Sequence, residues 1–162
     1  MKLSLNREYA VRHLGVAALM AGLCAWFIYD GAITYPAMSD DDFRAKILHR
    51  KADDTGPEYD FKAKRRDATN RQFQFAAIAG FAALIIAFGV LRSKRQTLEW
   101  DDTSMQGSLT RNRPLPFSEV SGLDKSRWEK KGILTVLAKD GRKVTLDAWH
   151  HVGVKELAEK LG

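Results

Sequence analysis

The sequence predicts an α+β membrane protein: a two-helix transmembrane hairpin followed by a small C-terminal strand-rich module closed by a helix. Three observations carry this. Two long apolar blocks lie within the first 91 residues. The net charge of +6 concentrates beside those blocks rather than spreading over the chain. The last third alternates apolar and polar residues and ends in a helical repeat.

The second block is the stronger. FQFAAIAGFAALIIAFGVL (73–91) runs nineteen residues without a charge. At about 1.5 Å per residue it covers the hydrocarbon core of a bilayer. RSKR (92–95) follows as a cationic stop and linker. The alternative is a buried core helix, but the remaining soluble sequence is small for enclosing one. The first span is placed at 13–30, after a basic flank at 1–12 that carries Lys2, Arg7 and Arg12 against Glu8. Trp26, Tyr29 and Tyr35 stand near its far end, where an aromatic belt lies. A cleaved signal peptide is the competing reading of this block. Its apolar run is long for that, and no small-x-small cleavage site follows cleanly.

Small residues recur in both blocks. Gly15, Ala18, Gly22 and Ala25 share one face of the first helix, and Ala76, Gly80, Ala83 and Ala87 share one face of the second. Such faces let helix backbones approach in lipid. They are expected to meet in an antiparallel hairpin; contact with another protein is the alternative.

Residues 31–72 form a long polar loop. In SDDDFRAKILHRKA (39–52), Ser39 is a candidate N-cap, acids fill the first turn and bases the last. Phe43, Ile47 and Leu48 make a short apolar stripe that suits a bilayer surface, a partner, or an ordinary solvated helix. TGPE (55–58) breaks this element, and 59–72 reads as a helix running into the second span.

Residues 96–162 read as one compact module. TLEWDD (97–102) alternates as a strand, SMQGSLT (104–110) is a bend or second strand, and the two prolines of RPLPFSEVSGLD (113–124) suggest an edge strand with a turn. ILTVLA, KDGR and KVTLDAW (133–149) form a hairpin signal. Val154, Leu157, Ala158 and Leu161 then follow helical spacing. About four or five strands are legible.

With its membrane hairpin, the segment PLPFSEVSGLDKSRWEKKG, the DG-centred hairpin and the terminal helix, the chain resembles bacterial membrane proteins that carry a PH-like domain. Leu115–Pro116–Phe117–Ser118–Glu119–Val120 approximates that family's "I-P-Φ-x-x-I" strand pattern, and the likeness covers about 65 residues. It implies a PH-like module, location in a bacterial inner (plasma) membrane, and a role in binding and assembly rather than catalysis. Counting positive residues on either side of the spans gives a near tie. The RSKR stop and the resemblance place both termini in the cytoplasm.

GLDKSRWEKKG (122–132) is the chain's most distinctive polar stretch. Lys125, Arg127, Lys130 and Lys131 around Trp128 suit a lipid headgroup or partner contact, at about 1 kcal/mol per basic residue near an anionic surface. The plainer reading is a charged turn anchored by one tryptophan, since Asp124 and Glu129 dilute the field.

No metal, cofactor or catalytic site is expected. The adjacent histidines His150 and His151 lack a ligand pattern, and His49 stands alone. There is no glycine-rich phosphate loop or nucleophile elbow. The lone Cys24 lies in the first apolar block, and no basic stripe interleaved with aromatics marks nucleic-acid binding. The expected function is a non-enzymatic membrane-anchored binding or scaffold protein whose tail holds a protein or lipid partner. The alternative is an accessory subunit of a larger membrane complex.

Overall fold

A computed structural model describes residues 1–49 and 60–162, so the break expected at 55–58 lies outside the described residues. The architecture is mixed helix and sheet. In chain order it contains β1 (Ser4–Leu5), α1 (Arg7–Tyr29), α2 (Tyr35–Ala37), α3 (Asp40–Lys46) and α4 (Phe61–Arg95). Then come β2 (Glu99–Trp100), β3 (Ser104–Gln106), β4 (Leu115–Pro116), β5 (Val120–Asp124), α5 (Trp128–Lys131), β6 (Ile133–Ala138), β7 (Lys143–Asp147), β8 (His151–Val152) and α6 (Val154–Leu161). Two compact units result: residues 15–86, and residues 1–14 with 87–162.

In the helical unit, α1 continues past the expected end of the apolar block. A π-helical turn at Asp30–Thr34 leads into α2, and Met38 turns to extended backbone and ends the run. The continuous helical run Arg7–Ala37 and α4 are both long and apolar enough to cross a membrane, and most of their apolar surface is exposed.

The two helices touch in antiparallel order. Phe27 meets Phe75 with ring centroids 5.5 Å apart. Gly31 packs under Phe73, and the Gln72 amide donates to the Tyr35 hydroxyl at 2.8 Å. A β-carbon on Gly31 would lie 3.1 Å from the Phe73 ring, so glycine permits this approach.

The face α1 uses differs from the expected one. Gly15, Ala18, Gly22 and Ala25 are all exposed, and nothing lies within 4 Å of a β-carbon built on Gly15 or Gly22. The packed row is Ala17, Met20, Cys24, Phe27 and Gly31, all buried or half-buried. Both rows have helical spacing, but they are offset by two residues, about 200° around a 3.6-residue turn. On α1 the packed row mixes Met20, Cys24 and Phe27 with Ala17 and Gly31, while Gly15, Ala18, Gly22 and Ala25 face outward. On α4, Ala76 and Ala83 are buried and Gly80 and Ala87 half-buried.

The short loop helix behaves as its electrostatics require. Ser39 Oγ accepts the Asp42 backbone N–H at 3.2 Å, three acids occupy the first turn, and Arg44 and Lys46 the last. Of its apolar stripe, Phe43 is taken up by the chain's own helices, while Ile47 and Leu48 are half-buried. Phe43 is fully buried, edge-on to Tyr35 at 5.3 Å and to Phe61 at 6.1 Å. Arg65 of α4 locks this corner. Its Nη2 donates to the Tyr35 and Met38 carbonyls, both at 2.7 Å, and its Nη1 pairs with Asp40 at 2.5 Å.

The strand-rich unit is built on two antiparallel meanders, β2-β3-β4 and β5-β6-β7. Alternation explains the second meander: Leu134, Val136 and Ala138 of β6 and Val144 and Leu146 of β7 point inward. A bulge between Val120 and Gly122 shifts the register of β5 against β6. Val154, Leu157 and Ala158 of α6 close the core with Leu98, Trp100, Met105 and Leu115. More strands form than are legible in sequence, because β1 and β8 are only two residues long and carry no periodic signal.

Part of the basic flank 1–12 belongs to this core. Leu3 is buried in it, and β1 pairs antiparallel with β8. Lys2 bridges Glu99, and the Leu3 N–H donates to the Leu98 carbonyl at 2.8 Å.

Candidate functional site

The turns of the strand-rich unit are organised by aspartates. Asp101 accepts from the N–H groups of Thr103 and Ser104 at 2.7 and 2.8 Å. Asp124 accepts from Ser126, Asp140 from Arg142 and Asp147 from Trp149, at 2.9, 3.0 and 2.8 Å. Each is a side chain satisfying a backbone donor two residues on, which makes the turn locally self-sufficient. Hydrogen bonds from Ser126 hold the Asp124 carboxyl below its ordinary value, with smaller help from Arg127 and Lys143. These acids are therefore committed to their turns.

The cationic stretch 122–132 follows from such a turn. After Asp124, Trp128–Lys131 forms the single helical turn α5, closed by Gly132 at φ +64°. Trp128 is half-buried and packs on the hydrophobic core. It is an anchor facing inward. Lys125, Arg127, Lys130 and Lys131 are exposed, as is Glu129. Lys125 borders an open cleft of about 490 Å³ with Phe117, Leu123 and Lys160.

A second tryptophan, at the end of the KVTLDAW strand segment, is exposed beside this stretch. Trp149 lies in the turn between β7 and β8 and is 66% accessible. Its indole rests on Gly132: a β-carbon there would be 3.3 Å from Trp149 Cδ1. The signal available in the sequence was Asp147, whose side chain terminates the strand two residues before Trp149.

The histidine pair flanks the same turn, and its two rings have different roles. His150 packs on Tyr9 with centroids 4.3 Å apart, and Tyr9 packs on His13 at 4.2 Å. His150 Nδ1 is 3.7 Å from Asp147. His151 is buried, with Nε2 at 3.1 Å from the Ser93 carbonyl in the last turn of α4. As an Nε2–H tautomer it donates to one of the carbonyls a helix end leaves open. Burial depresses the affinity of His150 for a proton; nearby Asp147 acts against this, and His151 and His13 add to it. No group of three or more metal-binding side chains gathers among the described residues.

Fold and surface together define a mixed helix-and-sheet chain with two helices long and apolar enough to cross a membrane and a strand-rich unit of small sheets. Comparison with protein families, curated proteins and solved structures finds no match for it.

Proposed function

We propose that this chain is a non-enzymatic, membrane-anchored binding or scaffold protein of the bacterial inner membrane. Its PH-like tail holds a protein or lipid partner near the bilayer, and both termini lie in the cytoplasm. The observation that carries the membrane reading is the outward face of α4. Ile78, Phe81, Leu84 and Phe88 are 64–70% exposed along one continuous helix. So much contiguous apolar surface needs a covering, and a lipid environment supplies it without further protein. The burial of Leu3 and the β1–β8 pairing oppose a cleaved signal peptide, because cleavage would strip the module of a strand and a core residue. Two three-stranded meanders closed by a C-terminal helix, with Leu115–Pro116 forming β4, support the PH-like reading.

One observation favours the second reading, an accessory subunit. The small-residue row Gly15, Ala18, Gly22 and Ala25 is left open on α1. In lipid such a row admits another helix at close range.

The test is purification of the tagged full-length protein from membranes in mild detergent, with mass spectrometry of what accompanies it. Lipid alone supports the self-contained anchored module. A stoichiometric protein partner supports the subunit reading and sinks the stand-alone one. Recovery in the soluble fraction without detergent removes the membrane reading altogether.

A further inference from the structure

A single exposed tryptophan is ordinary on a protein surface. The place of Trp149 is what gives it meaning. Its turn is fastened to the ends of both apolar runs. On one side the Asn6 N–H donates to the His150 carbonyl at 2.8 Å, and the His150 ring stacks on Tyr9. Residues 6–13 stand immediately before the uncharged run that begins at Leu14. On the other side His151 Nε2 lies 3.1 Å from the carbonyl of Ser93, two residues beyond Leu91, where the second run ends. The turn is thus held at the level where both apolar runs give way to charged sequence.

If the two helices span a bilayer, a reading on which this inference rests, that level is the headgroup layer. Tryptophan favours this layer because its ring is apolar while its N–H needs a polar partner. The charges around it fit as well. Gly132, under the indole, closes the helical turn that carries Lys130 and Lys131, both exposed. Arg92, Lys94 and Arg95 flank Ser93. Of the acids nearby in sequence, Asp147 is committed to the Trp149 and His150 N–H groups, which leaves Glu129 as the opposing charge on α5.

We propose that Trp149, with Lys130 and Lys131 beside it, is an interfacial anchor that docks the strand-rich module onto an anionic bilayer surface. The indole enters the headgroup region and the lysines meet lipid phosphates. Trp128, half-buried against the core, holds the turn from beneath. The ligand is a lipid surface rather than a single bound headgroup, since the anchor is an outward-facing ring.

The test uses the full-length protein in lipid nanodiscs containing phosphatidylglycerol and a tail-brominated phosphatidylcholine, which quenches nearby tryptophan emission. Trp26→Phe removes the fluorophore of the first long helix and leaves Trp100, Trp128 and Trp149. The difference between Trp26→Phe and Trp26→Phe/Trp149→Phe reports Trp149 alone. The expected result is strong quenching of that difference. Neutralising with Lys130→Gln and Lys131→Gln should lower the docking equilibrium constant by about fivefold per lysine in phosphatidylglycerol discs, and little in discs of phosphatidylcholine alone. Unquenched Trp149 emission that soluble iodide does quench overturns the proposal and leaves the surface to water or a soluble protein. Trp26 in the parent protein separates the two ideas. If bromolipid quenches Trp26 but not Trp149, the anchor fails while the spanning reading stands. If it quenches neither, both fail. Quenching of Trp149 that is indifferent to the lysine substitutions overturns the anionic part of the proposal.

Discussion

Leu3 shows how much one side chain can connect. It sits far in sequence from the module it completes, and it shares a core with Leu98, Trp100 and Val154. Leu3→Ala should cost about 2–5 kcal/mol, the range for emptying a well-packed leucine site. The measurement is the denaturant midpoint of the detergent-solubilised protein, followed by circular dichroism. A change near zero would mean that the N-terminal segment does not contribute to the core.

A second residue-scale effect concerns pH. His150 binds its proton less readily in the fold than its ordinary value of 6.5, first through burial, then against an opposing pull from Asp147, with repulsion from His151 and His13. The unfolded chain therefore takes up the proton at higher pH than the folded chain. Its contribution to stability is present above about 6.5 and is lost as pH falls from there toward the lowered folded value. Thermal melts at pH 7.5 and pH 5.5 should show a drop at acid pH. His150→Gln should shrink it, and an undiminished drop would assign the acid sensitivity to other groups.

At the scale of elements, the pairing of α1 with α4 can be trapped. A β-carbon built on Gly80 lies 3.2 Å from the Cys24 sulfur, close enough for a disulfide after small adjustment. Gly80→Cys should oxidise to an intramolecular bond with Cys24, read as a mobility shift on non-reducing gels that reductant reverses. Cross-linked dimers instead would show that the two helices meet between chains. The row of α1 that packs on α4 is not the small-residue row that helical spacing suggests. Two rows had the required spacing, and the row of smallest residues looked like the interface. Met20, Cys24 and Phe27 are half-buried in the packed row, and the second row remains outside.

At the scale of the whole molecule, the strand-rich unit draws on both ends of the chain. β1 precedes the first long helix and its partner β8 follows the second, so the two chain segments must lie on the same side of whatever the helices cross. Reporter fusions at the N- and C-termini should give the same membrane sidedness, with cytoplasmic activity at both. Opposite signals would be incompatible with the β1–β8 ladder, and matched external signals would reverse the proposed orientation.

Much of the architecture is legible in the sequence. Composition placed the two apolar helices, because an uncharged run of that length is a local property. Alternation placed β6 and β7, and helical spacing placed α6. The Ser39 cap with its following acids marked the start of α3. Each of these signals is contained within one stretch of chain. What only the tertiary structure decided is long-range: that Ser4–Leu5 joins a strand near the C-terminus, which face of α1 packs, that Phe43 is covered by the chain's own helices, and that Trp149 stays outside while Trp128 goes in. Two-residue strands have no period to read, and two helix rows of equal spacing differ only in what they meet. Such choices are settled by which surfaces fit one another, and that information belongs to pairs of distant segments rather than to either one.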